Sequence, residues 1–285
     1  MTDQLLLKAE EWNVKLEETR ETVTSLLGFG VRDGERVVLK VITGAQDELH
    51  SGKVLRAFDG SGAARVLEDA VGAVLLERLE PGEQLVDLVR RGQDDEATRI
   101  LAGVIKQMRG HTPPGECPTV AEWGRGFYRY VQRGDTQISS GLVREAQIVY
   151  EEMVASQGPT MLLHGDLQHY NVLFDSDRGW VAIDPKGVVG ELEYEVGALL
   201  RNPVEQPELF SNRATIERRL DILTSLLPLD RSRTLKWSFA QAVLSAIWGV
   251  EDGYRVQESD PPLQLATALR PMIVHAHGGV GHSES

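Results

Sequence analysis

The chain has 285 residues, 41% hydrophobic and 26% charged, a balance typical of a soluble globular protein with room for two lobes around a cleft. With 43 acidic against 30 basic residues the formal net charge is −13, which repels phosphate backbones and argues against nucleic-acid binding. Cys117 is the only cysteine, so neither an intrachain disulfide nor a thiolate metal cluster is available.

The opening MTDQLLLKAEEW has no basic start and no long apolar core, so it does not read as a signal peptide. No apolar run approaches the roughly 20 residues that span a bilayer. The expected compartment is the cytoplasm, with no membrane partner. Residues 20–80 read as strands with one helix. Two β-type runs, 25–31 and 37–42, flank Arg32-Asp33-Gly34-Glu35, which has hairpin turn chemistry. Residues 47–58 read as a helix with Leu49, Val54 and Leu55 on its apolar side, and short apolar runs at 64–67 and 73–76 complete a small antiparallel sheet.

At Glu80-Pro81-Gly82 the pattern breaks, which places an N-terminal lobe at residues 1–80 and a larger lobe at 81–285. The second lobe is mostly helical, with segments at 85–91, 95–111, 120–133 and 140–157. Residues 230–253 also read as one helix, with Asp230 as N-cap and Gly253 as its stop. Residues 275–285, rich in Gly, His and Ser, read as a frayed terminus. One stretch departs from helical periodicity. Residues 172–174 and 180–183 are strand-like and are joined by the turn formers of 175–179. The fold class expected is α+β, with a small β-rich lobe and a larger helical one.

That hairpin carries the chemistry. Asn171 precedes its first strand and Asp184 follows its second, so antiparallel pairing brings them within about 5 Å. A carboxylate beside an amide oxygen suits Mg²⁺, with phosphates and water completing the shell. Asp166 lies five residues before Asn171 on a loop that Gly165 allows to turn tightly, and it supplies a carboxylate for a hydroxyl. This is the inventory of phosphoryl transfer from ATP. Upstream, Lys40 ends the strand run VVLK, where it can meet phosphates, and Glu48 on the next helix can pair with it. Singly, each residue has a blander reading as turn former or surface salt bridge; the ordered set favours chemistry.

The order of strand lysine, helix glutamate, Asp–Asn loop and metal-binding Asp resembles the protein-kinase-like superfamily. HGD at 164–166 resembles the aminoglycoside phosphotransferase family. HGDLQHYNVL and AIDPKGVVGELEYEVGALLRNP are similar to its streptomycin and hydroxyurea phosphotransferase branch, as are LLERLEPGEQL, AEW at 121–123 and LSAIWGVEDG. The resemblance implies a two-lobed protein-kinase-like fold with ATP and Mg²⁺ as cofactors. It implies Asp166 as catalytic base, Asn171 and Asp184 as magnesium ligands, and Lys40 on the α- and β-phosphates, paired with Glu48. Glu77 to Leu79 would be the adenine hinge, and Glu195 would brace the catalytic loop. Two departures stand out. The segment Glu21-Thr22-Val23-Thr24-Ser25 has no glycine where the family places its nucleotide loop, which leaves phosphate contacts to Thr24 and Ser25. Gln168 stands where relatives often have His.

The acceptor is expected on the helical lobe. On the 230–253 helix, Trp237, Gln241, Leu244, Trp248, Glu251 and Asp252 fall near one face. Trp248, Glu251 and Asp252 can hold a guanidinium or ammonium group. Acids at a helix C-terminus oppose its dipole, which hints at function; the other reading is a core stripe, tryptophans included, that ends in solvated charges. The expected activity is transfer of the γ-phosphate to a hydroxyl of a small, possibly cationic acceptor, as in antibiotic resistance kinases. The alternatives are a metabolic kinase for an amino alcohol, sugar or homoserine-like compound, and a nucleotide-binding module without catalysis.

Overall fold

The computed structural model describes residues 2–44, 49–115 and 117–275. It begins with α1 (Thr2–Glu11), which buries Leu5 and Ala9, and β1 (Lys15–Glu21). Neither follows from the hydrophobic pattern. Strand β1 reads KLEETRE and is almost wholly exposed at the sheet edge, so only its main-chain pairing with β2 (Ser25–Arg32) defines it. Strand β3 (Glu35–Ile42) pairs with β2 through Arg32↔Glu35, leaving Asp33-Gly34 as the two-residue turn the sequence anticipates.

Helix α2 (Ser51–Phe58) follows, burying Val54, Leu55 and Phe58; the start of the expected 47–58 helix reaches into residues 45–48, outside the described residues. Strands β4 (Val66–Ala70) and β5 (Ala73–Glu77) complete a five-stranded antiparallel sheet in the order β1-β2-β3-β5-β4. Alternation along β3 puts Val37, Leu39 and Val41 in one core cluster with Leu5 and Ala9 of α1. Lys40 therefore lies on the opposite face of the sheet.

Beyond Glu80 the chain leaves this sheet. β6 (Pro81–Gln84) is followed by α3 (Val86–Arg90), α4 (Asp94–Met108), α5 (Val120–Trp123), α6 (Arg125–Arg133) and α7 (Ser140–Ala155). The expected 120–133 helix is thus two helices, broken at Gly124, where the Tyr150 ring closes on the backbone. Then come β7 (Met161–Leu163), β8 (Val172–Asp175), β9 (Gly179–Ala182) and β10 (Val188–Gly190). The hairpin β8–β9 carries β6 on its other edge, and β10 pairs with β7. The chain ends in α8 (Val196–Leu200), α9 (Glu208–Ser211), α10 (Arg213–Leu226), α11 (Arg231–Glu251) and α12 (Pro261–His275).

Helix α11 is the axis of the helical part. Asp230 caps it through Arg233 N–H, as expected, and Trp237, Phe239 and Leu244 are buried among α7, α8 and α12. Contacts also cross from the sheet to the hairpin. Ala64 N–H donates to the Ala182 carbonyl at 2.9 Å, and Ala182 N–H to that of Gly62 at 2.8 Å. Arg178, at the hairpin turn, donates to the Glu77 carboxylate and to the carbonyls of Gly60 and Ala63.

A buried ion pair locks α10 to α4. Arg219 is fully buried, meets both oxygens of Asp94 and donates to the Asn202 carbonyl at 2.9 Å. Burial pushes the Asp94 carboxyl up, but the hydrogen bonds and charge of Arg219 outweigh it and hold the group below its ordinary range. Removing Arg219 takes the buried partner from the Asp94 carboxylate, leaving it only the half-exposed Arg218 at 2.9 Å, and takes the donor from the Asn202 carbonyl. Arg219→Met is expected to lower unfolding free energy by about 3–5 kcal/mol in urea titration, against about 0.5 kcal/mol or less for the exposed control Arg213→Met. Equal midpoints for the two variants would contradict this role.

Candidate active site

The residues singled out in the sequence converge at the open end of the β8–β9 hairpin. Val172 pairs with Ala182, and Ile183 N–H donates to the Asn171 carbonyl at 2.9 Å. Asn171 and Asp184 are thereby neighbours across the hairpin mouth. The Asn171 amide nitrogen donates to the Asp166 carbonyl at 2.9 Å and reaches the Asp166 carboxylate at 3.3 Å. Both partners are acceptors, which fixes the amide orientation and leaves its oxygen for a cation. Asp184 has φ +62, in the left-handed region uncommon for a residue with a Cβ. Its carboxylate takes the Lys40 ammonium, which comes from the cleft-facing side of β3. Among the described residues no group of three His, Cys, Asp or Glu side chains is placed to hold a metal. The donor set at Asp184 and Asn171 fits a hard cation that draws its remaining oxygens from phosphate and water.

Glu195 holds the loop that carries Asp166. Its carboxylate is fully buried at the N-terminal end of α8 and accepts from His164 N–H at 2.7 Å and Gly165 N–H at 3.1 Å. The His164 ring is fixed as well. The Ile183 carbonyl can only accept, so Nε2–H donates to it at 2.9 Å, and Nδ1 accepts from Asp166 N–H at 3.2 Å. Burial holds this imidazole below its ordinary value, consistent with that neutral tautomer. The His164 carbonyl in turn takes N–H groups from Lys186 and Gly187, both at 3.0 Å. One residue thus joins the Asp166 loop to the segment that follows Asp184. Gly165 lies between them at φ +81, and a Cβ there would sit 2.8 Å from the Trp123 ring.

Other expected positions fall as follows. Thr22, Val23 and Thr24 form the β1–β2 loop. Ser25 is buried, and its hydroxyl and backbone N–H both pair with the Thr22 hydroxyl, at 2.8 and 3.0 Å. Thr24 accepts from Thr43 N–H through its carbonyl at 2.8 Å. Side-chain hydrogen bonds between Thr22 and Ser25 close this glycine-free loop. Glu77 accepts from Arg65 N–H at 2.8 Å and from Arg178, so its side chain ties sheet to hairpin. Leu79 is buried with Ala64 and Val181 against Leu173 and Ile183, an apolar patch that ends beside Asp184. Glu48 lies outside the described residues.

At the C-terminal end of α11, Trp248 meets Trp123 edge to face at 5.3 Å, and Trp123 crowds Gly165. Trp123 thus lies against the loop that carries Asp166, and Trp248 packs on Trp123. Glu251 takes both ends of the Arg129 guanidinium, at 2.7 and 3.0 Å, so its carboxylate is already neutralised inside the protein. Asp252 is exposed at the helix end. Gln168 accepts from Tyr170 N–H at 2.8 Å and serves the loop itself, while the Tyr170 hydroxyl meets Glu205. His169 is buried beside Arg219; burial, aided by that charge, pushes its imidazole down to about 3.

Four residues to which the sequence assigned no role enter the site: His164 and Trp123, which stand in the quoted HGD and AEW motifs, and Arg178 and Arg201. Arg201, in LLRNP just after α8, reaches Asp166 Oδ1 at 3.3 Å. A lone arginine after a helix carries no periodic signal, and its partner lies 35 residues upstream.

A family model described as aminoglycoside/hydroxyurea antibiotic resistance kinase matches residues 12–253. The chain is 32% identical to streptomycin 3''-kinase of Klebsiella pneumoniae, over 86% of this chain and 91% of that one. It is 30% identical to hydroxyurea phosphotransferase of Kitasatospora aureofaciens, over 86% and 72%. Among solved structures it resembles a choline/ethanolamine kinase family protein of Mesorhizobium loti, with TM-score 0.66, 16% identity and 96% coverage of both chains. It also resembles an aminoglycoside phosphotransferase solved with ADP and hygromycin B, with TM-score 0.65 and 18% identity over 97% and 99%. These likenesses show the two-lobed protein-kinase-like fold, with a β-rich N-terminal sheet and a helical C-terminal part. No helix among the described residues is long and apolar enough to cross a membrane.

Burial pushes Glu195 up from 4.5 to about 7, despite the N–H groups that favour its charged form. Between those values the folded chain holds a proton that the unfolded chain has released, so this stability is present at low pH and is lost as pH rises through about 7. Unfolding free energy of the wild type is expected to fall, relative to Glu195→Gln, between about pH 5 and about pH 8. A difference between the two that is flat across that range would show that Glu195 titrates elsewhere.

Proposed function

The chain belongs to the aminoglycoside/hydroxyurea antibiotic resistance kinase family, and on that premise we propose that it transfers the γ-phosphate of ATP to a hydroxyl of a streptomycin-like aminoglycoside or a hydroxyurea-type acceptor. The observation that carries this reading is the meeting of Asp166, Asn171, Asp184 and Lys40 at one hairpin mouth. In the proposed step the acceptor hydroxyl gives its proton to the Asp166 carboxylate while its oxygen bonds to the γ-phosphorus. The bond from that phosphorus to the bridging oxygen breaks, and ADP leaves. Magnesium, held by Asp184 and Asn171 when bound, would neutralise charge on the β- and γ-phosphates.

The remaining residues are assigned by position. Lys40, already beside Asp184, is read as the contact to the α- and β-phosphates, with Glu48 as its intended partner on the following segment. Thr24 and Ser25 border the phosphates from the β1–β2 loop. The Glu77 and Leu79 backbone receives adenine, and Leu79, Leu173 and Ile183 supply an apolar slot for its ring. Trp248, with Trp123, is the aromatic wall for the acceptor. Asp252, exposed at the end of α11, is read as an acid facing a cationic group, and Glu251 would have to exchange Arg129 for one. On this reading residues 1–80 form the nucleotide lobe, and residues 81–285 form the catalytic and acceptor lobe.

ADP release by the pure protein is the test, with MgATP and a panel of streptomycin, other aminoglycosides, hydroxyurea, choline and amino sugars. Streptomycin or hydroxyurea is expected to score. Asp166→Ala is expected to lose about 10²–10⁴-fold in turnover while still binding ATP. Near wild-type turnover by that variant would remove Asp166 as base, and turnover confined to choline or amino sugars would reassign the acceptor.

A further inference from the structure

Both oxygens of the Asp166 carboxylate are held, and by side chains from different parts of the chain. Asn171, on the same loop, reaches Oδ2 at 3.3 Å; Arg201 Nη2 reaches Oδ1, also at 3.3 Å. Arg201 is itself fixed. Its Nη1 donates to Gln241 Oε1 at 3.1 Å, and Gln241 Nε2 donates to the Tyr194 carbonyl at 3.2 Å. Gln241 is buried on α11, pressed so closely to α8 that a Cβ at Gly197 would lie 1.8 Å from its Oε1. That approach leaves room for glycine alone. A connected chain therefore runs from α11 through Gln241 and Arg201 to Asp166. The Arg201 side chain, 13% exposed, is placed for that purpose rather than for solvent.

We infer that Arg201 is a positioning residue for phosphoryl transfer: with Gln241 fixing its guanidinium, it holds the Asp166 carboxylate in the orientation that meets the acceptor hydroxyl. The inference rests on the reading of Asp166 as base. A planar guanidinium spans Asp166 and Gln241 at once, which a lysine ammonium on a flexible stem does not. With Arg201 removed, Asn171 alone tethers the carboxylate from one side, leaving it free to rotate. A base displaced by about 1 Å loses about 10²-fold in rate.

The test is a double-mutant cycle with whichever acceptor scores in the ADP-release panel. Arg201→Met is expected to lower kcat about 10²-fold with KM for MgATP within about twofold, and Arg201→Lys to recover only part of the loss. In an Asp166→Asn background, Arg201→Met is expected to add almost nothing, because it acts through that carboxylate. A full further loss in that background, or a raised KM for MgATP at unchanged kcat, would overturn the inference and make Arg201 a phosphate contact. Gln241→Met is the milder variant should Arg201→Met fold poorly. A smaller fall in kcat is expected there, and wild-type turnover would count against the inference. A crystal structure of Arg201→Met needs no acceptor: a rotated Asp166 carboxylate supports the inference and an unmoved one refutes it. That measurement stands even if no panel compound consumes ATP, so failure of the phosphotransferase reading and failure of this inference are told apart.

Discussion

The site depends on one buried carboxylate accepting hydrogen bonds from a loop that has no regular structure of its own. Glu195 is removed from water, an expensive state for a charged group, and the backbone N–H groups of His164 and Gly165 offset much of that penalty. Those groups would otherwise be buried donors without partners. The interaction therefore satisfies both sides, and in doing so it fixes the first residues of the loop that ends in Asp166. His164 carries the constraint onward, since its ring joins Asp166 N–H to the Ile183 carbonyl. Asp166 and Asp184 are thus positioned from a common origin.

This explains what was legible in the sequence. The β8–β9 hairpin was, because two short apolar runs on either side of a run of turn formers specify both strands and register. Once the register is known, Asn171 and Asp184 must meet. The α11 helix and its Asp230 cap were readable for similar local reasons. Strand β1 was not, because an exposed edge strand needs no hydrophobic face and KLEETRE has none. The single 120–133 helix failed because its break at Gly124 answers to Tyr150, a ring from another helix. Glu251 shows the same limit in the site. Its unfavourable place at a helix end is answered by Arg129, 122 residues away in the chain. Arg201 and Asp166 are likewise joined only by tertiary structure.

Reaction and acceptor are written into different parts of the molecule. On the proposed reading, the groups assigned to phosphate lie on the hairpin, its preceding loop and β3, all held by main-chain hydrogen bonds. Those assigned to the acceptor, Trp123, Trp248 and Asp252, lie on helices α5 and α11 and their ends, where side chains alter the shape of a pocket more readily than the main-chain frame. Relatives about 30% identical that are named for streptomycin and for hydroxyurea fit such a division.

The hydrogen bonds between Ala182 and residues 62–64 also govern how the molecule can breathe. They pin the sheet to the hairpin next to β4 and β5, whereas β1 lies at the opposite edge. Four strand spacings separate the two edges, a lever arm of about 20 Å. Rocking of the sheet by about 10° about that pin moves the β1–β2 loop by about 3 Å while hardly shifting the hinge beside Glu77. On the proposed nucleotide placement, the phosphate end would then open more widely than the adenine end.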